Sequence, residues 1–337
     1  MKFTLSPEQR QFAASIGDLL SGSDVPGLAR RWGAGQPDLA TWRRLADLGV
    51  TGLAVPERWD GLAAHPVDLV VAFEELGRHA VPGPLVESVA AVPTLLVELG
   101  DDALAGRWLP ALSAGTTVAT LAAPPHLPYA LDADLADPVL LVVDGTLSLA
   151  RTTTALSSVD ATRRLFAVDG AGVLASGPAV TAAAGRAFDA GTLACAAQLV
   201  GAGQALLERA TDYAKQRSQF GRPIGAFQAV KHQLADVLVG LELARPLVYG
   251  AAVAVADRSA TAGRDCSAAK VAAGRAAYQA ARTALQVHGA VGYTQEYDLG
   301  LWLTKVRALL SAWGTATTHR ARVAAALRDA ATTAARR

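Results

Sequence analysis

Residues 216–237 read QRSQFGRPIGAFQAVKHQLADV, with two arginines, a phenylalanine and a glycine crowded into a break between helix-favouring stretches. A guanidinium is a planar fork of donors that matches the paired oxygens of a phosphate or carboxylate. Arg217 and Arg222 around Phe220-Gly221 therefore form an anion-binding corner. Taken without context, Arg217 is a solvated charge at a helix end. A ligand is needed to make the corner a site.

The other reactive residue types are dispersed. His65, His79, His126, His232, His288 and His319 include no pair at i,i+4, so no zinc site is expected. Cys195 and Cys266 lie far apart and read as buried thiols in a reducing cytoplasm. No Gly-x-Ser-x-Gly, phosphate-loop or dinucleotide glycine fingerprint points to a hydrolase or kinase. Glu296 and Asp298 follow the Gly292 turn and read as structural or surface carboxylates. Lys231 and His232 read as solvated, and Glu74, Glu75 and Arg78 as helix-surface pairs.

The elements around the corner are mostly helical. The 337 residues are 51% hydrophobic and 18% charged, with a formal net charge of +1. That length supports a large core, and the alanine-rich composition favours helices. The near-zero charge, without a basic tract, points away from nucleic acid. Glu8 and Arg10 precede the first apolar run, which excludes a signal peptide. The longest apolar stretch, Leu193 to Leu207, is interrupted by Gln198 and Gln204 and reads as too short to span a membrane. The expected location is the cytoplasm.

The order along the chain predicts a mainly α fold with a small β domain. An N-terminal helical domain is expected over residues 1–115, opening on a capping box from Ser6 to Gln9. A shortened β domain follows over 116–185, from runs such as PVLLVVDG and TLSLARTT separated by turn signals. Residues 186–337 return to long helical segments and predict a C-terminal four-helix bundle. After the corner, Phe227, Val230, Leu234, Val237, Leu238 and Leu241 form one apolar stripe.

This order and four stretches resemble the acyl-CoA dehydrogenase family. LADLGVTGLAVPERWDGL and FEELGRHAVPGP are similar to its N-terminal segments, RSQFGRPIGAFQAVKHQLAD to its Arg-x-x-Phe-Gly…Phe-Gln motif, and QVHGAVGYTQEYDLGLW to its Gln-x-x-Gly-Gly-x-Gly stretch. The resemblance implies FAD shared across a subunit interface. Arg217 would pair with the diphosphate of a neighbour's FAD, with Gln219 and Phe220 lining that contact. Gln286, Gly289 and Ala290 would touch the same half of the cofactor, where small residues let the backbone come close. His288, between them, is either a further contact or a hydrogen-bonded turn histidine.

Two departures from the family matter more. Acyl-CoA dehydrogenation moves the α-proton of a thioester to a carboxylate base while a hydride leaves Cβ for the flavin. Where most members place that glutamate, before a Gly-Thr pair, this chain has Trp313. The family's alternative position, on the first bundle helix, falls near Gly191. Asp189 is two residues away, on a different helix face. The flavin-binding Thr-Glu-Pro-x-x-Gly-Ser strand is also replaced, by PPHLPYALDADLADPVLL.

The resemblance is thus to the short, degenerate β chain of heterotetrameric (α2β2) acyl-CoA dehydrogenases. Those assemblies are associated with actinobacterial breakdown of steroid side chains and other bulky acyl-CoA substrates. It implies a catalytic partner chain, an acyl-CoA substrate and an electron-transfer flavoprotein as acceptor. No catalytic residue is expected in this chain. The alternatives are a self-sufficient homo-oligomeric flavoenzyme or lyase with relocated chemistry, and a scaffold that has lost FAD.

Overall fold

The computed structural model describes residues 4–294 and 297–335; Glu296 lies outside them. Six helices come first: α1 (Pro7–Ser21), α2 (Val25–Gly33), α3 (Ala40–Asp47), α4 (Pro66–Arg78), α5 (Val92–Leu99) and α6 (Asp102–Ser113). The capping box at α1 is formed. The Gln9 amide donates to Ser6 Oγ at 3.2 Å, and the Ser6 amide donates to Gln9 Oε1 at 3.0 Å. After α4 the Pro82-Gly83-Pro84 break leads into a π-helical turn, Val86–Ala91, which runs directly into α5.

The sheet comprises β1 (Thr120–Ala122), β2 (Ala130–Leu131), β3 (Val139–Val143), β4 (Thr146–Leu156) and β5 (Leu165–Ser176), in the order β1-β3-β4-β5-β2. β1 pairs parallel with β3 and the remaining pairs are antiparallel. Asp144 and Gly145, at φ 46° and 71°, make the tight hairpin turn between β3 and β4.

The divergent segment between β1 and β3 is built into the core rather than left as a loop. Leu127, Ala130, Leu131 and Ala133 are buried there. Asp132 is fully buried and accepts from Trp32 Nε1 at 2.9 Å, which ties the segment to α2. Burial pushes the Asp132 carboxyl up to about 7, against the opposing pull of Trp32 and Arg164.

The C-terminal helices are α7 (Pro178–Gln216), α8 (Gln228–Ala256), α9 (Ala262–His288), α10 (Leu299–Leu309) and α11 (Ala316–Ala335). α7 is the axis of the molecule, packed on α4, α5, α8, α9 and α10. Its glycines set the approach to α4. A Cβ at Gly201 would overlap the Glu74 carbonyl, and one at Gly77 would overlap the Gln198 carbonyl. The two backbones are therefore in direct contact.

Three expectations are corrected here. By length and composition α7, which continues well past Leu193–Leu207, and α8 are each long and apolar enough to cross a membrane. The most apolar stretch of α7 is 94% buried inside the protein, that of α8 only 39%. On α8, Val237 and Leu241 face inward, but Leu238 is 46% exposed, as are Val239, Leu243 and Leu247 to similar or greater extents. The stripe is thus two faces, one covered and one not.

The Glu74–Arg78 surface pair does not form. α7 and α8 cover that side of α4, and Glu74 instead meets Arg245 of α8, while Arg78 reaches Glu208 of α7 at 2.8 Å. Burial lifts the Glu74 carboxyl to about 7 despite Arg245.

Candidate functional site

α7 ends at Gln216, and Arg217 opens a two-residue-turn hairpin, β6 (Ser218–Gln219) with β7 (Arg222–Pro223). The turn residues Phe220 and Gly221 sit at φ 53° and 77°. Phe220 is 90% exposed and meets Phe227 edge-on at 6.2 Å, and Arg222 stacks over the Phe227 ring at 4.2 Å. Arg217 and Gln219 are exposed, and the Arg217 side chain has no hydrogen bond or ion pair with the described residues.

The other expected stretch is brought alongside. Tyr213, one helical turn before Arg217, stacks on His288 with centroids 4.3 Å apart, so the C-terminal ends of α7 and α9 are neighbours. Gln286, Gly289 and Ala290 are exposed at that end. Gly289 takes φ 64°, and a Cβ there would meet nothing within 4 Å. Its positive φ ends α9 and leaves open space beside the backbone.

His288 is different. Its ring is buried, Nδ1–H donates to the Ala284 carbonyl at 2.7 Å, and Nε2 accepts from the Tyr297 hydroxyl at 3.2 Å. Burial lowers its pKa. Both ring nitrogens of His288 are engaged internally, as for a hydrogen-bonded turn histidine.

At the expected base position the interior is filled. Trp313 is fully buried at φ 57°, followed by Gly314 at φ 90°. A Cβ at Gly191 would overlap Cε3 and Cζ3 of the Trp313 ring. Trp313, at the expected base position, and Gly191, near the expected alternative one, are therefore in van der Waals contact, one an indole and the other a bare backbone.

Around Trp313 runs a continuous set of hydrogen bonds. Arg322 bridges Asp189 (2.6 Å) and Ser267 Oγ (3.0 Å). Ser267 donates to His319 Nδ1 at 3.2 Å, and His319 Nε2–H donates to the Trp313 carbonyl at 2.7 Å. Lys270, also buried, donates to the Leu309 carbonyl at 2.9 Å. Burial drives the His319 pKa down to about 4, so its ring is neutral. Asp189 is spent on Arg322, and this chain of bonds ends on a peptide carbonyl with no reacting group. Its effect is to hold the left-handed turn that aims the indole inward.

Sequence reading missed one residue. Trp313 Nε1–H donates at 3.2 Å to Glu87 Oε1, a buried carboxyl on the π-helical turn whose Oε2 has no hydrogen-bond partner among the described residues. Burial raises the Glu87 pKa, and Arg163 and the indole bond offset part of this. Its only sequence signal is a lone acid inside the apolar run LVESVAAV.

On the other side of the indole, Phe188 lies 6.2 Å from Trp313, 5.9 Å from His319 and 5.4 Å from His126. His126 belongs to the segment that replaces the expected flavin-binding strand. Asp298, near the Gly292 turn, pairs with Arg30 at 2.5 Å. Among the described residues no group of His, Cys, Asp or Glu could hold a metal.

Three helical and sheet layers in this order, with a bundle whose α7 and α9 ends carry the Arg217 and Gln286 corners, define an acyl-CoA dehydrogenase fold, and the chain belongs to the acyl-CoA dehydrogenase family. Residues 6–116 match the family's N-terminal domain and residues 181–328 its C-terminal domain. The acyl-CoA dehydrogenase IpdE2 of Mycobacterium tuberculosis is 31% identical over 307 residues, covering 89% of this chain and 91% of the relative. IpdE2 of Mycolicibacterium smegmatis is 32% identical over 273 residues, 78% of this chain and 80% of the relative. Among solved structures, a variant of the Tcur3481–Tcur3483 steroid acyl-CoA dehydrogenase superposes with a TM-score of 0.87 at 23% identity, over 98% of this chain and 100% of that one. The ChsE4–ChsE5 complex of Mycobacterium tuberculosis does so at 0.85 and 23%, over 97% and 99%. These two establish the likeness of fold.

Proposed function

We propose that this chain is the non-catalytic subunit of a cytoplasmic, heteromeric (α2β2) FAD-dependent acyl-CoA dehydrogenase. The observation that carries the reading is the contact of Trp313 with Gly191, which leaves neither family position with a base or with room for one. The proton-abstracting glutamate and the flavin-ring contacts then belong to a partner chain.

The residues of this chain fit one half of FAD and not the other. Arg217 offers an unpaired guanidinium fork at a projecting hairpin, suited to a diphosphate. Gln219 and Gln286 supply amides nearby, Phe220 an exposed aromatic face, and Gly289 and Ala290 open space for close approach. Trp313 and His319 are fully buried, with the partly buried Phe188 against both rings and the exposed His126 ring beyond it, so the place where a carboxylate was expected is filled by aromatic side chains. When bound, FAD accepts the hydride that leaves the acyl Cβ. This subunit's own work is to bind and orient the cofactor's diphosphate end and to keep its own interior closed.

The substrate we infer is a bulky acyl-CoA of steroid type, in keeping with the heteromeric steroid acyl-CoA dehydrogenase among its structural neighbours, with an electron-transfer flavoprotein as acceptor. A second reading, a self-sufficient enzyme, has one observation in its favour, the buried Glu87 carboxyl with a free oxygen beside Trp313.

Expression decides between them. The chain is produced alone and together with the acyl-CoA dehydrogenase encoded beside it. A colourless lone chain and a yellow, active pair support the proposal. A lone chain that is yellow and desaturates a thioester overturns it in favour of Glu87.

A further inference from the structure

We infer that the open pocket between α1, α2, α4, α7 and α10 binds a small phosphoryl oxyanion, gripped by Arg209. The pocket has a volume of about 490 Å³ and its wall includes Arg78, His79, Arg209 and Trp302. It is separate from the Arg217 corner, since Arg209 lies two helical turns earlier on α7, roughly 12 Å along the axis.

The argument begins with an imbalance. The Arg209 guanidinium carbon lies over the buried Trp302 indole, 3.8 Å from the ring centroid. Stacking covers one face of the group and leaves its in-plane N–H donors uncommitted. Arg209 is only partly exposed, yet it makes no hydrogen bond or salt bridge with the described residues. A half-buried cation without acceptors is costly, because its donors lose water and gain nothing in exchange.

Every carboxylate that faces Arg209 already has a cation of its own. Glu208 accepts from Arg78 at 2.9 and 2.8 Å and from the Gln204 side-chain amide at 3.0 Å. Asp212 pairs with Lys215 at 3.3 Å, and Asp298 with Arg30 at 2.5 Å. Arg209 is thus the one arginine of the pocket wall that makes no ion pair with the described residues.

The surrounding groups are set to receive an anion. Trp302 is fixed by donating Nε1–H to the Arg78 carbonyl at 2.9 Å, so the stacking surface and the second arginine are held together. His79 adds a ring on the same wall, its pKa lowered by burial and by the nearness of Arg78 and Arg209. An immobilised, stacked guanidinium with its edge free presents a bidentate fork to two oxygens of one phosphoryl group. Inorganic phosphate and the phosphate end of an organic ligand share this chemistry.

The full-length chain is titrated calorimetrically, in low-salt buffer free of phosphate, with inorganic phosphate and with phenyl phosphate. Saturable binding at one site per chain is expected, weakened at least tenfold in Arg209→Gln and unchanged in Arg217→Gln. Glu208→Gln, which releases Arg78, should tighten it several-fold. Tighter binding of phenyl phosphate identifies an organic phosphate as the ligand type, and equal binding identifies the free anion. Absence of saturable binding by either probe overturns the inference, as does binding that survives Arg209→Gln or is lost in Arg217→Gln. Should Arg209→Gln not fold, unchanged or weaker binding in Glu208→Gln overturns it instead. None of these results bears on whether the partner chain supplies the catalytic base.

Discussion

The Trp313 indole rests directly on the backbone of Gly191, so closely that any side chain at 191 would overlap its six-membered ring. Residues 122 positions apart are therefore one device, and each explains the other's identity.

The first prediction follows from that overlap. Gly191→Ala should lower stability by about 1–3 kcal/mol or more, the usual range for overpacking a filled core. Trp313→Ala should cost about 3–5 kcal/mol on its own. Combined, the two should be less harmful than their sum, because the small residue vacates the space the new methyl needs. Urea denaturation of the four proteins in a double-mutant cycle checks this, and simple additivity would contradict it.

Removing the plug should not restore catalysis. Trp313→Glu in the lone chain places a second carboxyl beside Glu87 in a buried pocket, with no cation bonded to either. The expected outcome is a loss of several kcal/mol in stability and no dehydrogenation of acyl-CoA, read by denaturation and by a dye-reduction assay.

Arg217 should behave in the opposite way. Its side chain is exposed and makes no hydrogen bond or ion pair with the described residues, so Arg217→Ala should change the chain's own stability by no more than about 0.5 kcal/mol. In the co-expressed pair the same change should strip flavin, seen as a fall in the ratio of 450 nm to 280 nm absorbance. Undiminished flavin would favour the scaffold reading.

His319 and Glu87 predict pH dependences of opposite sign. His319 has a folded pKa depressed to about 4, below the 6.5 of an unfolded histidine. The unfolded chain then binds the extra proton between those values, and stability falls as the pH drops through that window, by on the order of 3 kcal/mol at about 1.36 kcal/mol per unit. His319→Gln should remove that slope from denaturation curves measured between pH 7 and 4.

Glu87 has a raised folded pKa. Its contribution is complete below the unfolded value near 4.5 and is lost as the pH rises through the folded one. Glu87→Gln keeps an acceptor for the Trp313 indole, and should make the protein less sensitive than wild type to alkaline pH.

Much of the fold was legible because local chemistry enforces it. Ser6 and Gln9 cap α1, Asp144-Gly145 turns β3 into β4, and the Arg217–Pro223 break is a real hairpin between α7 and α8. What was not legible depended on neighbours distant in sequence. β2 is two residues long and exists only because β5 lies beside it. Leu238 carries no mark distinguishing it from Val237, since which face of α8 is covered depends on α7 and α9. Glu74 looks like a surface acid until α8 arrives with Arg245. Motif spacing singled out Arg217, Gln286 and Trp313, but Glu87 is visible only once the π-helical turn and the indole are folded together.

The glycine contact between α4 and α7 has a mechanical consequence. α7 runs unbroken from Gly191 to the hairpin at Arg217, about 39 Å at 1.5 Å per residue, and midway along it Gly201 is clamped to α4. The sealed interior and the outstretched hairpin are two ends of one rigid rod, braced at its middle by the N-terminal helices. A pull on the hairpin from a neighbouring molecule cannot be absorbed by helices slipping past one another. It would pass along α7 to α4, where Gly201 and Gly77 hold the two backbones together.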